Sequence, residues 1–490
     1  MAYKVPHNID ANKVFLVNYS ELEGRLEPEF YRPSLASLEK RIRELATHKL
    51  SDYALYMAGG ATPPKTEADK FYADSESGIP FLRVQNLQTN GELSLNDCVY
   101  INEETHNGLL KRSQVAEGDL LVKITGVGRM AVASVAPKGF VGNTNQHMVV
   151  IKTGDVELSK YLARYLNLDI IERIASRHST GGTRPALDYP SLKSIPIIEG
   201  IDFFLIDKAL KEKKEKEEKV HELLDSINEY LLNILGIKLP RTKFETLQGR
   251  MFTVSYSKVC GGRLDPKLYS TSIAQLKQSL LDSPYDKRLL KGFIMSNYSG
   301  EWGIDESEEV DEKKYTKCLV VRATEFDNTY NLRLDNSRVK YRWIENSKLL
   351  RMNIQANDLL IEKSGGSEDQ PVGRIAILSD DILKGNKIAY SNFIHKITVD
   401  GINPMYLYYY LKTMHNIKIT DSMQSQTNGI RNLIMHEYFN QTIVVPPSKI
   451  QQEIVDHITI IRQQAKALQE EGKQMLEQAK KEVEHMIIGK

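Results

Sequence analysis

Three short segments carry residue types at spacings that could do chemistry. Gly126-Val-Gly-Arg-Met-Ala131 fits the G-x-G-x-x-A turn that cradles a dinucleotide pyrophosphate. Asn403-Pro-Met-Tyr406 is close to the N-P-P-Y loop with which amino-methyltransferases hold an extruded base, and Asp358 with Glu362-Lys363 has the composition of a metal-nuclease cluster. Each fails on its context. A helix has to follow the dinucleotide turn, yet Ala131 to Ala136 reads as β, and no acidic residue stands about 20 positions further on. The second proline of N-P-P-Y is missing and no glycine-rich nucleoside-binding strand precedes it, so Pro404 reads as a helix start. The acidic spacing around Asp358 is wrong, and a repeated segment carries Val122-Lys123 in its place. No P-loop and no H-E-x-x-H occurs. The chain reads as non-catalytic by itself.

The elements that must position any site are bounded by size and composition. At 490 residues the chain is too long for one small fold, and 41% hydrophobic with 26% charged residues is a globular balance. Lys plus Arg (65) and Asp plus Glu (64) nearly cancel, and they do so in each half: 33 against 34 up to Arg250 and 32 against 30 beyond it. No basic half announces nucleic acid. Met1 to Asp10 lacks the apolar core of a signal peptide, and no apolar run approaches the ~18 residues of a membrane helix, so a cytoplasmic location without a membrane partner is expected. Cys98, Cys260 and Cys318 are isolated, which indicates neither disulfides nor a zinc site; buried free thiols are expected.

The sequence repeats itself. Gly24-Arg-Leu-Glu-Pro-Glu-Phe-Tyr31 returns as Gly262-Arg-Leu-Asp-Pro-Lys-Leu-Tyr269, Arg83-Val-Gln-Asn-Leu87 as Arg322-Ala-Thr-Glu-Phe326, and Gly118-Asp-Leu-Leu-Val122 as Asn357-Asp-Leu-Leu-Ile361. Val127-Gly-Arg-Met-Ala131 then matches Val372-Gly-Arg-Ile-Ala376, Tyr161-Leu-Ala-Arg-Tyr165 matches Tyr406-Leu-Tyr-Tyr-Tyr410, and Thr180-Gly-Gly-Thr-Arg184 matches Thr427-Asn-Gly-Ile-Arg431. The offset drifts from 238 to 247 and steps up by about six near Gly365 to Gln370, where the second copy carries an insertion. Two copies of one unit of about 240 residues follow, each too large to be a solenoid repeat.

Each copy begins with short β-like runs between Gly, Asn and Asp turns, with helical pattern around Tyr161 to Ile174 and Pro404 to His415, and ends in a long heptad helix. The first seam is Ile206, Leu210, Lys213, Glu217, Val220, Leu224, Ile227, Leu231 and Ile234; the second is Ile454, Ile458, Ile461, Ala465, Leu468, Gly472, Met475, Ala479, Glu482 and Met486. Lys211 to Lys219, of alternating sign, reads as a solvated helix surface. The expected fold is α/β (α+β): two tandem globular domains related by a pseudo-twofold axis and separated by two long helices pairing as an antiparallel coiled coil. The expected boundaries are 1–200 and 241–447 for the globular domains and 201–240 and 448–490 for the helices.

This organisation resembles the specificity subunit of type I restriction–modification systems over nearly the whole chain. The resemblance rests on the duplication, the G-D-L-L strand followed by V-G-R, the T-G-G-T-R and T-N-G-I-R turns, the Ile443-Val-Val-Pro-Pro447 exit with Gln451-Gln-Glu-Ile454 opening the last helix, and the two heptad helices. It departs from the family at Pro196-Ile-Ile-Glu-Gly-Ile-Asp202, where the usual proline-proline and glutamine entry to the first helix is absent. The resemblance implies that each globular part is a target-recognition domain reading one half of a split double-stranded DNA site. It also implies that the helices space the domains and dock methyltransferase subunits, and that a third, restriction and translocase subunit supplies cleavage. No cofactor is implied for this chain; S-adenosylmethionine, ATP and magnesium belong to the partner subunits.

A neutral chain can bind DNA through local cationic faces. Arg and Lys can fork onto guanine, Asn and Gln onto adenine, and glycine beside them lets backbone approach phosphate. The candidates for DNA contact in the first copy are Arg83, Gln85 and Asn86, then Lys123, Thr125 and Arg129, then Arg177, Thr180, Thr183 and Arg184 beside His178. In the second copy they are Arg322 and Thr324, then Lys363, Ser364 and Arg374, then Gln424, Gln426, Asn428 and Arg431. His147 and His395 read as hydrogen-bonded structural residues, and Tyr406 to Tyr410 as a packed helix face. Because paired positions differ between the copies, the expected DNA target is bipartite and asymmetric. Two other readings stay open: a coiled-coil scaffold with two protein-binding lobes, and the specificity chain of a two-subunit methylating nuclease.

Overall fold

The computed structural model of the chain describes residues 9–96, 98–239, 251–260, 263–327, 330–334, 339–366, 370–427 and 430–489. It divides into two compact units, Met1–Glu215 with Glu470–Lys490, and Lys216–Gln469.

In the first unit a four-stranded sheet has the spatial order Tyr56–Gly59, Met148–Lys152, Leu120–Lys123, Ala133–Val135, all antiparallel. A five-stranded sheet runs Tyr72–Ala73, Val99–Ile101, Ile79–Leu82, Val141–Thr144, Gln114–Ala116, with one parallel pair, Phe81 opposite Asn143. His48–Lys49 pairs with Pro196–Ile197 where the chain leaves for the first long helix. The strand Leu120–Lys123 is buried on both faces. Leu120 and Val122 belong to the core shared with the helices, and Leu121 to the core shared with the second sheet, as the period of two requires.

The second unit repeats this topology, except that among the described residues its second sheet has no counterpart of the edge strand Gln114–Ala116. Its four-stranded sheet runs Ile294–Ser299, Ile394–Val399, Leu359–Glu362, Ile375–Ile377. Its second sheet runs Ile304–Asp305, Lys340–Glu345, Tyr315–Val321, Ile388–Tyr390, again with one parallel pair, Leu319 opposite Ile388. Asp286–Leu289 pairs with Thr442–Val445 before the last helix. Leu359 and Ile361 again face the helical core, and Leu360 the other.

Local chemistry explains why the two copies fold alike. Gly118 and Asn357 open the strand at φ +80° and +69°, a region open to glycine and, next best, to asparagine. The following carboxylates close the turn: Asp119 accepts from the Ala116 amide at 2.8 Å, and Asp358 from the Gln355 amide at 2.9 Å. Gly60 and Gly300 let two backbones cross. A Cβ there would stand 1.7 Å from the Thr144 carbonyl oxygen and 2.2 Å from that of Ser391. Asn403 caps the helix Pro404–Asn416, its side chain accepting from the Met405 and Tyr406 amides, so the N-P-M-Y segment is a helix start as read. Tyr406 to Tyr410 is a buried face. Helices Pro33–Leu45 and Thr271–Leu281, which sequence reading did not single out, cover equivalent positions of the two units.

The long helices run Phe204–Ile234 and Ser448–Ile488. Within the first unit Phe203, Ile206 and Ala209 share a core with Leu476, Ala479 and Val483. Within the second, Tyr230 stacks on His457 at 3.9 Å, and Asp225 acts on Tyr330, the ring beside Arg462. Ascending one helix therefore descends the other, which makes the pair antiparallel. The predicted seams hold over most of their length and slip at the ends. Ile234 is exposed and Leu235 buried, while Glu482 and Met486 give way to Val483 and Ile487. A straight helix drifts ~20° per heptad against a 3.5-residue repeat, which hands the seam to the next residue.

All three cysteines are free, but only Cys318 is buried; Cys98 is half-buried and Cys260 exposed. Among the described residues no helix is long and apolar enough to cross a membrane.

Candidate nucleic-acid interface

In each unit, one end of the four-stranded sheet gathers several of the segments singled out above. In the first unit the strand Leu120–Lys123 leads into a loop in which Gly126 and Gly128 adopt φ +124° and +82°. This loop is held by the turn that contains Thr180 to Arg184: the Gly126 amide donates to the Pro185 carbonyl at 3.0 Å, the Leu187 amide to the Ile124 carbonyl at 2.8 Å, and Thr125 and Thr180 each bridge to Ala186. Thr180, Thr183 and Arg184 are exposed at the tip and Thr125 is half-buried beside them. His147 lies close, pushed below the usual imidazole range by burial and then by the Arg184 charge.

Other first-unit candidates carry structural duties. Lys123 is buried and donates to the Val127 carbonyl at 2.8 Å, with burial pulling its ammonium below the usual lysine range against the field of Glu172. Arg129 donates to Asp169 at 2.5 Å and to the Asn167 carbonyl at 3.1 Å. Arg177 packs on Phe30 and pairs with the buried Glu39. Asn86 is buried, accepting from the Arg83 amide and donating to the Ser94 carbonyl, each at 2.8 Å. Arg83 is half-buried, and Gln85 points out.

The second unit builds the same end differently. Gln424–Thr427 and Ile430–Leu433 form a true hairpin, and Ser364–Gly366, from the insertion, adds a third strand that sets Gly366 opposite Arg431. Arg431 and Gln424 are buried, Gln424 donating to the Val372 carbonyl at 3.1 Å. Arg374 forks onto the buried Glu362 with two 2.8 Å bonds and donates to the Ala323 and Phe326 carbonyls. Burial raises the Glu362 carboxyl above the usual range while Arg374 opposes. Asp358 pairs with the buried Lys396 at 2.9 Å. The acids of the nuclease-like segment thus serve as internal struts.

Arg322 pairs with Glu325, which stands where Asn86 stands in the first unit, and Thr324 is exposed. Lys363 is half-buried, its ammonium donating to Ser299, and Ser364 bonds Asn432. Asn428 and the side chain of Gln426 lie outside the described residues. His395 accepts or donates at 3.0 Å to Asn297 and is held at about 4 by burial and then by Lys363, consistent with a structural residue.

Two residues at these ends were missed. Gln146 is exposed beside His147 and bonds Thr62. Phe393 is 47% exposed beside Gly365, its carbonyl bonded by the Lys363 amide. Aligning Thr144-Asn-Gln-His-Met148 with Tyr390-Ser-Asn-Phe-Ile394 would have found both, because the repeat sets them on one turn.

Two mixed α+β units of similar topology, each offering a glycine loop beside a polar turn, define a duplicated fold. Residues 306–478 match the family model described as the type I restriction modification DNA specificity domain. The match spans about a third of the chain. No curated protein gives a match. Among solved structures, similarity extends to a chain of a type I R-M system described in terms of complex assembly and conformational transition (14% identity, TM-score 0.37, 90% of this chain and 95% of that one). It also extends to the S subunit from M. genitalium (15%, 0.33, 89% and 95%) and the HsdS subunit from Thermoanaerobacter tengcongensis (13%, 0.28, 90% and 94%).

Proposed function

We propose that this chain is the non-catalytic subunit that reads a bipartite, asymmetric DNA target, one half-site per unit, and docks methyltransferase and restriction subunits along its long helices. The observation that carries the reading is a shared backbone with different side chains. The same sheet end is built in both units, yet Gln85-Asn86 faces Thr324-Glu325, His147 faces Phe393, and the exposed turn Thr180–Arg184 faces a hairpin stiffened by a third strand. A common scaffold with divergent tips suits two related tasks with different sequence targets. Gln85, Thr125, Thr180, Thr183 and Arg184 in one unit, and Thr324, Lys363, Ser364 and Phe393 in the other, are the side chains best placed to meet DNA. The remaining candidates act as the frame behind them. In this role the methyl donor, ATP and magnesium are bound by the partner subunits, and the complex works in the cytoplasm.

The test is methylation-aware sequencing of the host genome with and without the gene. It should return a split target with two unlike halves; a palindromic split site, or no change in methylation, would falsify the reading. Binding to duplex DNA should also weaken steeply with added salt.

A further inference from the structure

The sheet ends do not explain how the neighbouring loop, Val84 to Leu93 after the strand Ile79–Leu82, is held in place. In the first unit Arg164 Nη1 donates to the Asn90 carbonyl at 2.5 Å, and Nε of the same guanidinium donates to Asp207 Oδ1 at 2.6 Å. Asp207 lies in the first turn of the first long helix. The space is tight: a Cβ on Gly91 would stand 2.5 Å from Arg164 Nη1. In the second unit the equivalent loop meets Arg462 of the last helix. Its Nη2 donates to the Tyr330 carbonyl at 2.9 Å and to Asn331 Oδ1 at 3.2 Å, and its Nη1 donates to the Tyr409 hydroxyl at 2.9 Å.

Tyr409 is the repeat counterpart of Arg164. The same three parties, loop carbonyl, inner helix and long helix, are therefore joined in both units, with the arginine moved from the inner helix to the long one. A guanidinium offers five donors in a rigid fork and so donates in several fixed directions at once, which is what a bridge between two elements needs. Other cations reach the second loop, Arg374 at Ala323 and Phe326 and Lys412 at Asp327, but they come from inside the domain.

We infer that Arg164 and Arg462 are positioning residues that tie each loop to its long helix, so that the helix sets the placement of Gln85 in one unit and Thr324 in the other. The inference rests on the DNA-recognition reading above. It makes the long helices part of the reading apparatus of each half-site, besides any docking role.

The test compares Arg164→Lys, Asp207→Asn and Arg462→Lys in the full chain, purified from its host with the subunits that accompany it. Two readouts are taken: hydrogen–deuterium exchange, and selection from a pool of DNA duplexes with a randomised interior. Peptides covering 84–93 in Arg164→Lys and Asp207→Asn, and 323–334 in Arg462→Lys, should exchange roughly tenfold faster, with the rest of each unit unchanged. Arg164→Lys and Asp207→Asn should lose sequence discrimination at one half-site, and Arg462→Lys at the other. Unchanged exchange overturns the tie. Faster exchange with both half-sites still selected overturns its link to reading. If the wild-type protein enriches no sequence, the recognition reading fails and takes that link with it, while exchange alone still decides whether the tie exists.

Discussion

Lys412 and His415 sit where water is scarce. The Lys412 ammonium lies 4.7 Å from the Tyr330 ring centroid, and burial draws its pKa down to about 8, against Asp327 and together with Arg374 and Arg462. His415, bonded to Thr420 at 3.1 Å, is held at about 4 by burial, then by Lys412 and Arg374. Folding depresses both pKa values, so the unfolded chain binds more protons between about 4 and 6.5 through His415 and between about 8 and 10.5 through Lys412. Stability should fall as pH drops from 6.5 toward 4. It should rise as pH climbs from 8 toward 10.5 and the buried ammonium discharges. In urea unfolding, wild type should lose roughly 2 kcal/mol more than His415→Gln between pH 7 and pH 4.5; parallel pH profiles would count against the buried neutral imidazole. The two T-x-G-x-R arginines give a second prediction. Arg184→Ala should leave stability unchanged and lower the salt slope of DNA binding by about 1 if the guanidinium meets phosphate, or cost about 1–3 kcal/mol at one base position if it meets a base edge. Arg431→Ala should instead lower the unfolding midpoint of the second unit. In sequence these arginines look alike. The strand Ser364–Gly366, supplied by the insertion, covers one of them, and strand pairing at a distance of more than sixty residues leaves no local signal.

At the scale of elements, what could be read was whatever recurs with a period. The duplication announced itself through matched turns, and both long helices through heptads, because glycine turns and apolar seams are local requirements of the backbone. The second sheets and the covering helices Pro33–Leu45 and Thr271–Leu281 were less legible. Their strands are two to seven residues long, and their pairing is decided by what packs on them. The slip of the last seam is a case where geometry overrides the repeat, and it can be checked. Val483 is 1% exposed in the first unit's core, whereas Glu482, the heptad position, is exposed. Val483→Ala should destabilise the first unit by about 2 kcal/mol, and Glu482→Ala should stay within about 0.5 kcal/mol. Urea unfolding of the two variants in the full chain decides between the seams, and the reverse order of effects would restore the heptad register.

At the scale of the molecule, a net charge of +1 spread evenly over both halves first argues against DNA, yet charge is read by a partner locally. Arg374, Arg177 and Lys396 place their cations on internal carboxylates, so the balance of charge says more about how the units are built than about what they meet. Each long helix contributes one end to each unit, the division falling at Glu215 and at Gln469. In the proposed role the length of these helices, 31 and 41 residues, sets the gap between half-sites. Because the helices pair antiparallel, lengthening one alone would break the seam, so the insertion has to be made in both. Four residues placed after Glu215 and four after Gln469 add ~6 Å at ~1.5 Å per residue, which is about two base pairs at ~3.4 Å each. Methylation mapping of this variant should return both half-sites unaltered with about two more base pairs between them. Four residues complete slightly more than one turn, so the seam re-enters register with a twist of ~40° that a coiled coil absorbs as a stutter. Changed half-sites at a constant gap would show that the helices do not measure the spacing.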